Sequence, residues 1–545
     1  MLIHLGLIFF GQGKLKFEGM HIFDIWMIVL GIVMANILFH SPLIQYDNFS
    51  HWAVIVKFLN FTGHLPGPTD SIISFTSYPP ATALFMAEFV KLVGFSDGTM
   101  LVGQFIIIWA ASYAVFAVLR DHSRALTSLL LCFIIAIVNV FNIAIRFNNL
   151  LVDYVLPILT VAGIAGLYIH QKQPKIQWAT FILFSSTLLL VKNSGAFFVA
   201  VLAFYYLYLL MKVHGHGFKK VMQQFGIFVS GVGLALTPFL WWSQHVKIFA
   251  LSKHEISAQA YKQQLASESF TVIMRIVKKF VDQLFSLDTL SFQGILLINA
   301  TLIIAWLIIG AIDSERNPLF KVTIIVDVLY VLYSASVLGM YLVSMPYAEA
   351  INLDGFDRYM SSVIILDIFI MGMALVYSID KAFHEQRFEK RDLRAFSSIF
   401  TKNVYQMSSF LLLIFSIIMM YSESNGIKFT NYYSRAELPL QLARISNQRM
   451  ALNDKRVLLV DPHADDVGSY YAGYVGRYYY FTNELVAQEN FMMSRKQFKK
   501  TVNKYDYVVI PEFHSTFSAM TRQVYHEHVR VGMFKVTQDK LVKIR

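Results

Sequence analysis

The stretch Tyr46-Asp47-Asn48-Phe49-Ser50-His51-Trp52 closely follows an apolar run that is long enough to cross a lipid bilayer, so it is expected at a membrane surface. Apolar residues recur with a helical period over Phe49–Asn60, which predicts a helix with Asp47 and His51 on one face. A carboxylate beside an imidazole is a candidate general base with an orienting partner. The alternative is an interfacial loop in which Asp47 caps a helix and Trp52 anchors among lipid headgroups.

The composition of the 545-residue chain is that of a protein that lies largely in lipid. Hydrophobic residues make up 56% of the chain and charged residues only 15%. Basic loops on the cytoplasmic side of the membrane account for the net charge of +11, and no nucleic-acid partner is expected. The single cysteine, Cys132, lies inside an apolar run, so an intramolecular disulfide is excluded.

Apolar runs and basic clusters predict about eleven transmembrane helices in a multi-pass protein of the cell (plasma) membrane. Lys14 and Lys16 precede the first span, so the N-terminus is predicted to be cytoplasmic. The short stretch Ala81–Val93 is predicted to lie on the external surface of the membrane, because a span there would move every later basic loop to the opposite side. The predicted spans are His21–Phe39, Gly98–Leu119, Ala125–Ile145, Asn149–Ile169, Trp178–Val191, Ala196–Met211, Val221–Trp241, Leu290–Gly310, Thr323–Val343, Tyr359–Tyr377 and Tyr405–Tyr421.

The chain is predicted to have two domains. Residues 1–421 form the transmembrane domain, with external loops at residues 41–97 and 243–289. The composition then becomes more polar, and segments such as Lys455–Val460 have the pattern of short buried strands separated by helical stretches. Residues 422–545 are therefore predicted to form a small extracellular α/β domain.

Several motifs at the predicted outer ends of spans resemble those of the GT-C superfamily of integral-membrane glycosyltransferases. An acidic motif in the first external loop precedes a Pro-Pro pair that opens a surface helix, and an Asp, a Lys-x-x-Gly and an Arg-Tyr follow in later segments. Protein O-mannosyltransferases and lipid A aminoarabinose transferases have similar motifs, with Asp-Glu in place of Asp47-Asn48. The residues concerned are Tyr46-Asp47-Asn48, Tyr78-Pro79-Pro80, Asp153, Lys192-Asn193-Ser194-Gly195 and Arg358-Tyr359.

This resemblance implies a GT-C fold from about Met20 to Tyr421 and an inverting glycosyltransferase that uses a polyprenyl-phosphate-linked sugar on the outer face of the membrane. The acceptor is expected to be a cell-envelope glycan, polymer or lipid. A carboxylate must take the proton of the acceptor hydroxyl, and cations must stabilise the leaving phosphate. The catalytic candidates are Asp47, Asp153 and His51, and the candidates for binding substrate or phosphate are Lys192, Arg358, Tyr359, Tyr78 and Arg146.

Other interpretations stay open at this point. Asn48 interrupts the carboxylate pair of the related enzymes, so the binding of a divalent cation is an open question and an inactive envelope-assembly protein is an alternative. A flippase or carrier of lipid-linked sugars would need charged pairs at mid-membrane, where only Asp327 and Asp367 lie. The stretch 461–466, Asp-Pro-His-Ala-Asp-Asp, also resembles a motif of zinc deacetylases that act on N-acetyl sugars, but the acid and glycines that follow in that family are missing here.

Overall fold

The structure is a computed structural model that describes residues 19–214, 217–249, 270–312, 317–382, 396, 398–447, 450–461 and 469–545. Nine helices of these residues are long and apolar enough to cross a membrane, and two shorter apolar helices, Ala125–Phe141 and Val155–Ile169, accompany them. Each of the eleven predicted spans coincides with one of these helices. The predicted architecture, a multi-pass helical membrane protein with a small C-terminal α/β domain, is confirmed.

The helices of the first part of the chain are interrupted by short polar turns, and several have the expected end signals. Gly63 ends one helix in the left-handed conformation (φ 75°), and the Ser96 side chain accepts a hydrogen bond from the backbone N–H of Thr99 to begin another. In chain order these elements are α1 Ile22–Phe39, a π-helix at Asn48–Trp52, α2 Ala53–Thr62, α3 Ala81–Val93, α4 Asp97–Tyr113, a 3₁₀ turn at Ala114–Val118, α5 Ala125–Phe141, α6 Val155–Ile169, α7 Pro174–Val191, α8 Gly195–His214 and α9 Phe218–Val246.

The helices of the second part include the longest one in the described chain. It begins directly after the capping residue Ser398 and continues through Tyr421 without a break to Tyr433. The division of the chain near residue 421 remains a prediction. The elements are α10 Phe270–Leu284, α11 Leu290–Ile312, α12 Leu319–Val343, α13 Tyr347–Ala350, α14 Phe356–Ala382, α15 Ile399–Tyr433, a 3₁₀ turn at Ser434–Ala436 and α16 Leu438–Ile445.

The C-terminal part contains one five-stranded sheet with the strand order β2-β1-β3-β4-β5. The first three strands in this order are parallel, and β4 and β5 are antiparallel to their neighbours. Helices connect the parallel strands, as parallel pairing requires. The elements are β1 Val457–Val460, α17 Ser469–Tyr480, β2 Leu485–Gln488, α18 Arg495–Val502, β3 Tyr507–Ile510, α19 Ser515–Tyr525, β4 Gly532–Val536 and β5 Leu541–Lys543.

The two faces of this sheet belong to different apolar cores. Val457 and Leu459 on one face of β1 pack in the same cluster as the apolar side chains of the membrane helices, whereas Leu458 and Val460 belong to a separate cluster. All four side chains are buried, which explains the continuous apolar run of this strand. The sheet is therefore packed onto the helical part of the molecule through one of its faces.

A buried lysine lies where the first loop segment meets the C-terminal part. Lys57, on α2, is fully buried and donates hydrogen bonds to the backbone carbonyls of Tyr478 and Tyr479, at 2.7 and 3.3 Å. These carbonyls belong to the last turn of α17, where the helix offers no N–H partners and favours a positive charge. The Tyr478 hydroxyl also donates to Asp97 Oδ1 at 2.7 Å. We call Lys57, Asp97, Tyr478 and Tyr479 the lysine junction.

Candidate active site

Four charged side chains from distant parts of the chain form one network of ion pairs. Lys192 Nζ donates to Asp153 Oδ1 at 2.9 Å, and Arg358 Nε lies 3.9 Å from Asp153 Oδ2. Arg358 Nη1 also donates to Asp47 Oδ2. Arg358 therefore bridges the two carboxylates, and two cations balance two anions. We call these four residues the charge cluster.

The members of the charge cluster stand at the ends of helices, where the backbone can bring them together. Asp47 immediately precedes the π-helix, and Asp153 lies just before α6. Lys192 follows the last residue of α7 with an extended backbone, and Arg358 lies in the first turn of α14. Four separate segments thus meet at one end of the helical part.

Tyrosine side chains surround the two cations. The Arg358 guanidinium donates to the Tyr359 hydroxyl at 2.8 Å and lies 4.8 Å from the centre of that ring, and Lys192 Nζ lies 5.5 Å from it. Tyr78 is within electrostatic range of Tyr359 and Asp47; burial, followed by these two neighbours, raises its pKa above the ordinary value. The Tyr78 hydroxyl is therefore neutral at physiological pH.

The two carboxylates of the charge cluster differ in their exposure to solvent. The Asp153 side chain exposes 5% of its surface, whereas that of Asp47 exposes 31%. Burial alone would raise the pKa of Asp153, but Lys192 and Arg358 together hold this pKa below its ordinary value, so Asp153 is ionised. A buried, doubly paired carboxylate is suited to holding cations in place. The more open carboxylate, Asp47, is the one that an incoming hydroxyl could reach.

His51 does not pair with Asp47, and this part of the sequence-based prediction is wrong. Residues Asn48–Trp52 form a π-helix that carries His51, and Asp47 lies just before it. Asp47 pairs with Arg358 instead, and among the described residues Nδ1 of His51 has no hydrogen-bond partner.

The His51 ring packs edge-on against other aromatic rings. Its centre lies 4.8 Å from those of Trp52 and Tyr78. Burial, with a contribution from the nearby positive charge of Lys192, lowers the pKa of His51 to about 3. The imidazole is therefore neutral and is a poor proton acceptor at physiological pH. A direct catalytic role of His51 stays a prediction that this geometry does not favour.

Asn48 holds the loop that carries Asp153. Its side chain is fully buried, and its Oδ1 accepts a hydrogen bond from the backbone N–H of Leu150 at 3.0 Å. Gln104 supports the same loop by donating to the carbonyls of Asn149 and Leu151 at 3.0 and 3.1 Å. Among the described residues, the Nδ2 atom of Asn48 is buried without a hydrogen-bond partner, so only one end of the amide is satisfied. The departure from Asp-Glu therefore leaves Asp47 and Asp153 in place.

Arg146 belongs to a different ion pair. Its Nη1 donates to Oε2 of Glu423, on α15, at 2.8 Å, and Glu423 is buried. Among the ion pairs of the described residues, none joins Arg146 to the charge cluster. The structure therefore brings together Asp47, Asp153, Lys192, Arg358, Tyr359 and Tyr78, with His51 beside them, but not Arg146.

The arrangement does not fit a divalent cation. Asp47 and Asp153 are the carboxylates of the charge cluster, and both already pair with Arg358 or Lys192, whose positive charges would repel a metal ion. Within the described ranges no group of three or more His, Cys, Asp or Glu side chains could hold a metal. The deacetylase-like stretch lies outside the described residues from position 462 to 468.

Some residues at the site were missed by sequence reasoning. Tyr333, on α12, is buried beside Asp153 and Tyr359, and Ser362 donates to the backbone carbonyl of Asp153 at 2.9 Å. Aromatic and hydroxyl residues of this kind are common near the ends of membrane helices, so the sequence carries no signal that separates these two from the rest.

Comparisons with known proteins concern the overall fold. No protein-family model matches the chain, and no curated protein matches it. Two solved structures are similar: ArnT from Cupriavidus metallidurans bound to undecaprenyl phosphate, at 10% identity and a TM-score of 0.45, and the same protein in the apo state, at 12% and 0.44. Each similarity covers 89% of this chain and 92% of ArnT. The similarity to ArnT is one of overall fold.

Proposed function

We propose that the chain is a GT-C-type glycosyltransferase that transfers a sugar from a polyprenyl-phosphate donor to a hydroxyl group of a cell-envelope glycan, polymer or lipid. The reaction takes place at the outer face of the cell membrane, with the N-terminus in the cytoplasm and the C-terminal domain outside. This orientation puts nearly every basic cluster on the cytoplasmic side, in accordance with the positive-inside rule.

The observation that carries the proposal is the bridge made by Arg358 between Asp47 and Asp153, with Lys192 paired to Asp153. Transfer from a lipid phosphate needs a cationic site for the departing phosphate and a carboxylate that can accept a proton. Two cations and a partly exposed carboxylate meet these needs within one network. An arginine suits a phosphate especially well, because its planar donors can bind two oxygens at once.

In the proposed reaction the acceptor hydroxyl attacks the anomeric carbon of the donor sugar. A new carbon–oxygen bond forms as the bond from the anomeric carbon to the phosphate oxygen breaks, and the polyprenyl phosphate leaves with that electron pair. The hydroxyl proton passes to the Asp47 carboxylate. Attack from the face opposite to the phosphate inverts the anomeric configuration. Arg358 and Lys192 stabilise the negative charge that develops on the phosphate.

The ion pair between Asp47 and Arg358 gives this scheme an order of events. While Arg358 donates to Oδ2 of Asp47, that oxygen is occupied by the guanidinium and is not free to receive the proton of a hydroxyl. A donor phosphate that draws Arg358 toward itself releases Asp47 for proton transfer. Donor binding therefore precedes activation of the base, and Asp153 keeps both cations nearby throughout, since it pairs with Lys192 and Arg358.

The experiment measures the binding of undecaprenyl phosphate to the purified full-length protein in lipid nanodiscs. We expect Lys192→Glu and Arg358→Glu to weaken binding at least about tenfold, since each replaces a phosphate-binding cation with a repelling charge, and a tenfold change corresponds to about 1.4 kcal/mol. Arg146→Met is the matched control, because Arg146 is a comparable arginine that pairs outside the charge cluster. Equal binding by the wild type and both charge-reversed variants would contradict the proposal.

Two observations bear on the alternative functions, which are an inactive assembly protein and a carrier of lipid-linked sugars. An inactive assembly protein was suggested by Asn48, but Asn48 supports the loop of Asp153 and removes neither carboxylate of the charge cluster. A carrier of lipid-linked sugars remains the second candidate, because Asp327 and Asp367 lie on the packed helices α12 and α14. Transfer of sugar by purified protein, rather than movement of an unchanged donor across the bilayer, separates the transferase from the carrier.

A further inference from the structure

Two carboxylates, Asp327 and Asp367, lie within neighbouring membrane helices that pack against each other. Asp367 lies in the middle of α14 and is fully buried, and Asp327 lies in the middle of α12, which packs against it. Asp327 is the charged group that acts electrostatically on Asp367. Ionised carboxylates at this depth are costly and rare, and they mark functional sites by default.

Among the described residues, several hydrogen-bond acceptors around Asp327 and Asp367 lack a donor. Asn299, on α11, donates through Nδ2 to Asp327 Oδ1 at 2.7 Å. Among the described residues, neither carboxylate oxygen of Asp367 has a hydrogen-bond partner, and the Asn299 Oδ1 atom is also without one. All three unpartnered atoms are acceptors. The group that is missing from this site is therefore a donor or a small cation, not another acceptor.

Within the described part of the chain, no ion pair joins a basic side chain to Asp327 or Asp367. Helix α10, which also packs against α12, carries Arg275, Lys278, Lys279 and Asp282. Helix α12 contributes Tyr330, which interacts with Asp367 but donates its hydroxyl to the carbonyl of Leu284 at 3.3 Å. Helix α11 and the 3₁₀ turn at Ala114–Val118 have no ionisable side chain, and the ionisable residues of α5 and α6 are Cys132 and Tyr168. The other ionisable residues of α12 are Lys321, Tyr333 and Tyr341.

We propose that Asp327 and Asp367 form an intramembrane proton-binding site in which one proton is shared between the two carboxylates. A protonated Asp367 supplies the missing donor, and Asp327 and the Asn299 carbonyl are the acceptors on the helices packed against it. Two like charges brought together favour the retention of one proton. The site is independent of the proposed sugar transfer, and failure of either proposal leaves the other standing.

The lipid-facing side gives access to this site. Asp327 is only partly buried, and the neighbouring Ile324 and Val328 expose their side chains on the outer surface of α12. A reagent dissolved in the bilayer can therefore reach Asp327, whereas a water-soluble reagent cannot. Proton exchange at this site links α12 to α14, the helix whose first turn carries Arg358.

The test uses N,N′-dicyclohexylcarbodiimide, a lipid-soluble reagent that reacts with protonated carboxyl groups in apolar surroundings. The carboxyl proton and oxygen add across one carbon–nitrogen double bond of the reagent, and the adduct rearranges to a stable N-acylurea that retains all atoms. We expect one adduct per chain at neutral pH in the full-length protein in lipid, mapped by peptide mass spectrometry to Asp327 or Asp367. Labelling should decrease as pH rises, while a water-soluble carbodiimide leaves both residues unmodified.

The controls distinguish a bound proton from other occupants of the site and from a loss of folding. Asp380→Asn, at an ion-paired carboxylate near the other end of α14, should leave the labelling unchanged, and the double variant Asp327→Asn with Asp367→Asn should remove it. Protection by sodium but not by potassium would mean that the pair binds sodium, and would overturn the proton assignment. The infrared carbonyl band of a protonated carboxyl is a second readout that needs no reagent access. Absence of both the adduct and this band from pH 5 to 9 in the wild type would overturn the proposal.

Discussion

In both the charge cluster and the lysine junction, cationic side chains are largely removed from bulk water. The two places differ in the groups that pair with these cations. In the charge cluster, Arg358 and Lys192 pair with carboxylates, and one of these, Asp47, is partly open. In the lysine junction, Lys57 is fully buried and is satisfied by neutral carbonyls, with Asp97 nearby.

The difference separates a site that can exchange partners from a contact that holds two parts of the chain together. A phosphate can compete with a carboxylate for a partly exposed arginine without leaving a buried group unpaired. Nothing can replace the carbonyls of Tyr478 and Tyr479 around Lys57 without separating α2 from α17. Variants in the charge cluster should therefore change activity more than stability, and variants in the junction should do the reverse.

Among the variants that compare the charge cluster with the lysine junction, Arg358→Met is expected to have the largest effect on sugar transfer. This substitution removes the cation that bridges Asp47 and Asp153, and loss of one preorganised donor for developing charge typically costs on the order of 10²–10³-fold in turnover. Turnover of purified protein in lipid is the measurement, with Arg146→Met as the matched control. A variant that unfolds at the same temperature as the wild type but transfers sugar normally would break the comparison.

The next effect is that of Lys57→Met on the attachment of the C-terminal part. Methionine fills the space but leaves two buried carbonyls without a donor, which costs about 1–3 kcal/mol for each unsatisfied group. We expect faster proteolysis of the C-terminal part and a smaller loss of turnover than for Arg358→Met. The control is Lys91→Met, since Lys91 forms an exposed pair with Glu88 that is worth no more than about 1 kcal/mol. Equal proteolysis of the two variants would contradict a role for Lys57 in attachment.

The junction should also depend on pH. Burial lowers the pKa of Lys57 to about 7, against the opposing attraction of Asp97, whereas an unfolded lysine titrates near 10.5. Between these values the unfolded chain binds more protons than the folded one, so stability rises with pH and the full cost of the buried charge is present below about pH 7. Proteolysis of the C-terminal part should therefore slow from pH 7 to pH 10. An identical pH profile in Lys57→Met would show that another group is responsible.

The smallest expected effect is that of Asn48→Ala. The change removes the acceptor for the N–H of Leu150 and loosens the loop that carries Asp153, at a cost of about 1 kcal/mol. We expect a modest decrease in turnover, well below that of Arg358→Met, and a small decrease in thermal stability. A loss of turnover as large as that of Arg358→Met would mean that Asn48 takes part directly in the chemistry.

The sequence predicts the helices well because long apolar runs have few alternatives in a membrane. It also places Asp47, Asp153, Lys192 and Arg358 at helix ends, where the resemblance to known enzymes identifies them. The pairing of Asp47 could not be predicted, since its partner, Arg358, lies 311 positions further along the chain. Lys57 lies in an apolar helix, and only the packing of α17 shows what its charge contacts.

The central claim is that Asp47 is the base of a sugar transfer whose phosphate leaving group is held by Lys192 and Arg358. The most direct measurement compares the wild type with Asp47→Asn, both as purified protein and in cells, for sugar transfer and for donor binding. Asparagine is nearly isosteric with aspartate but cannot accept the proton. Envelope polymers from cells that lack the protein, or that produce the wild type or Asp47→Asn at equal levels, are analysed by mass spectrometry. We predict that Asp47→Asn still binds undecaprenyl phosphate, that transfer falls roughly 10²–10⁴-fold, and that the envelope lacks the added sugar. Undiminished transfer by Asp47→Asn would contradict the account.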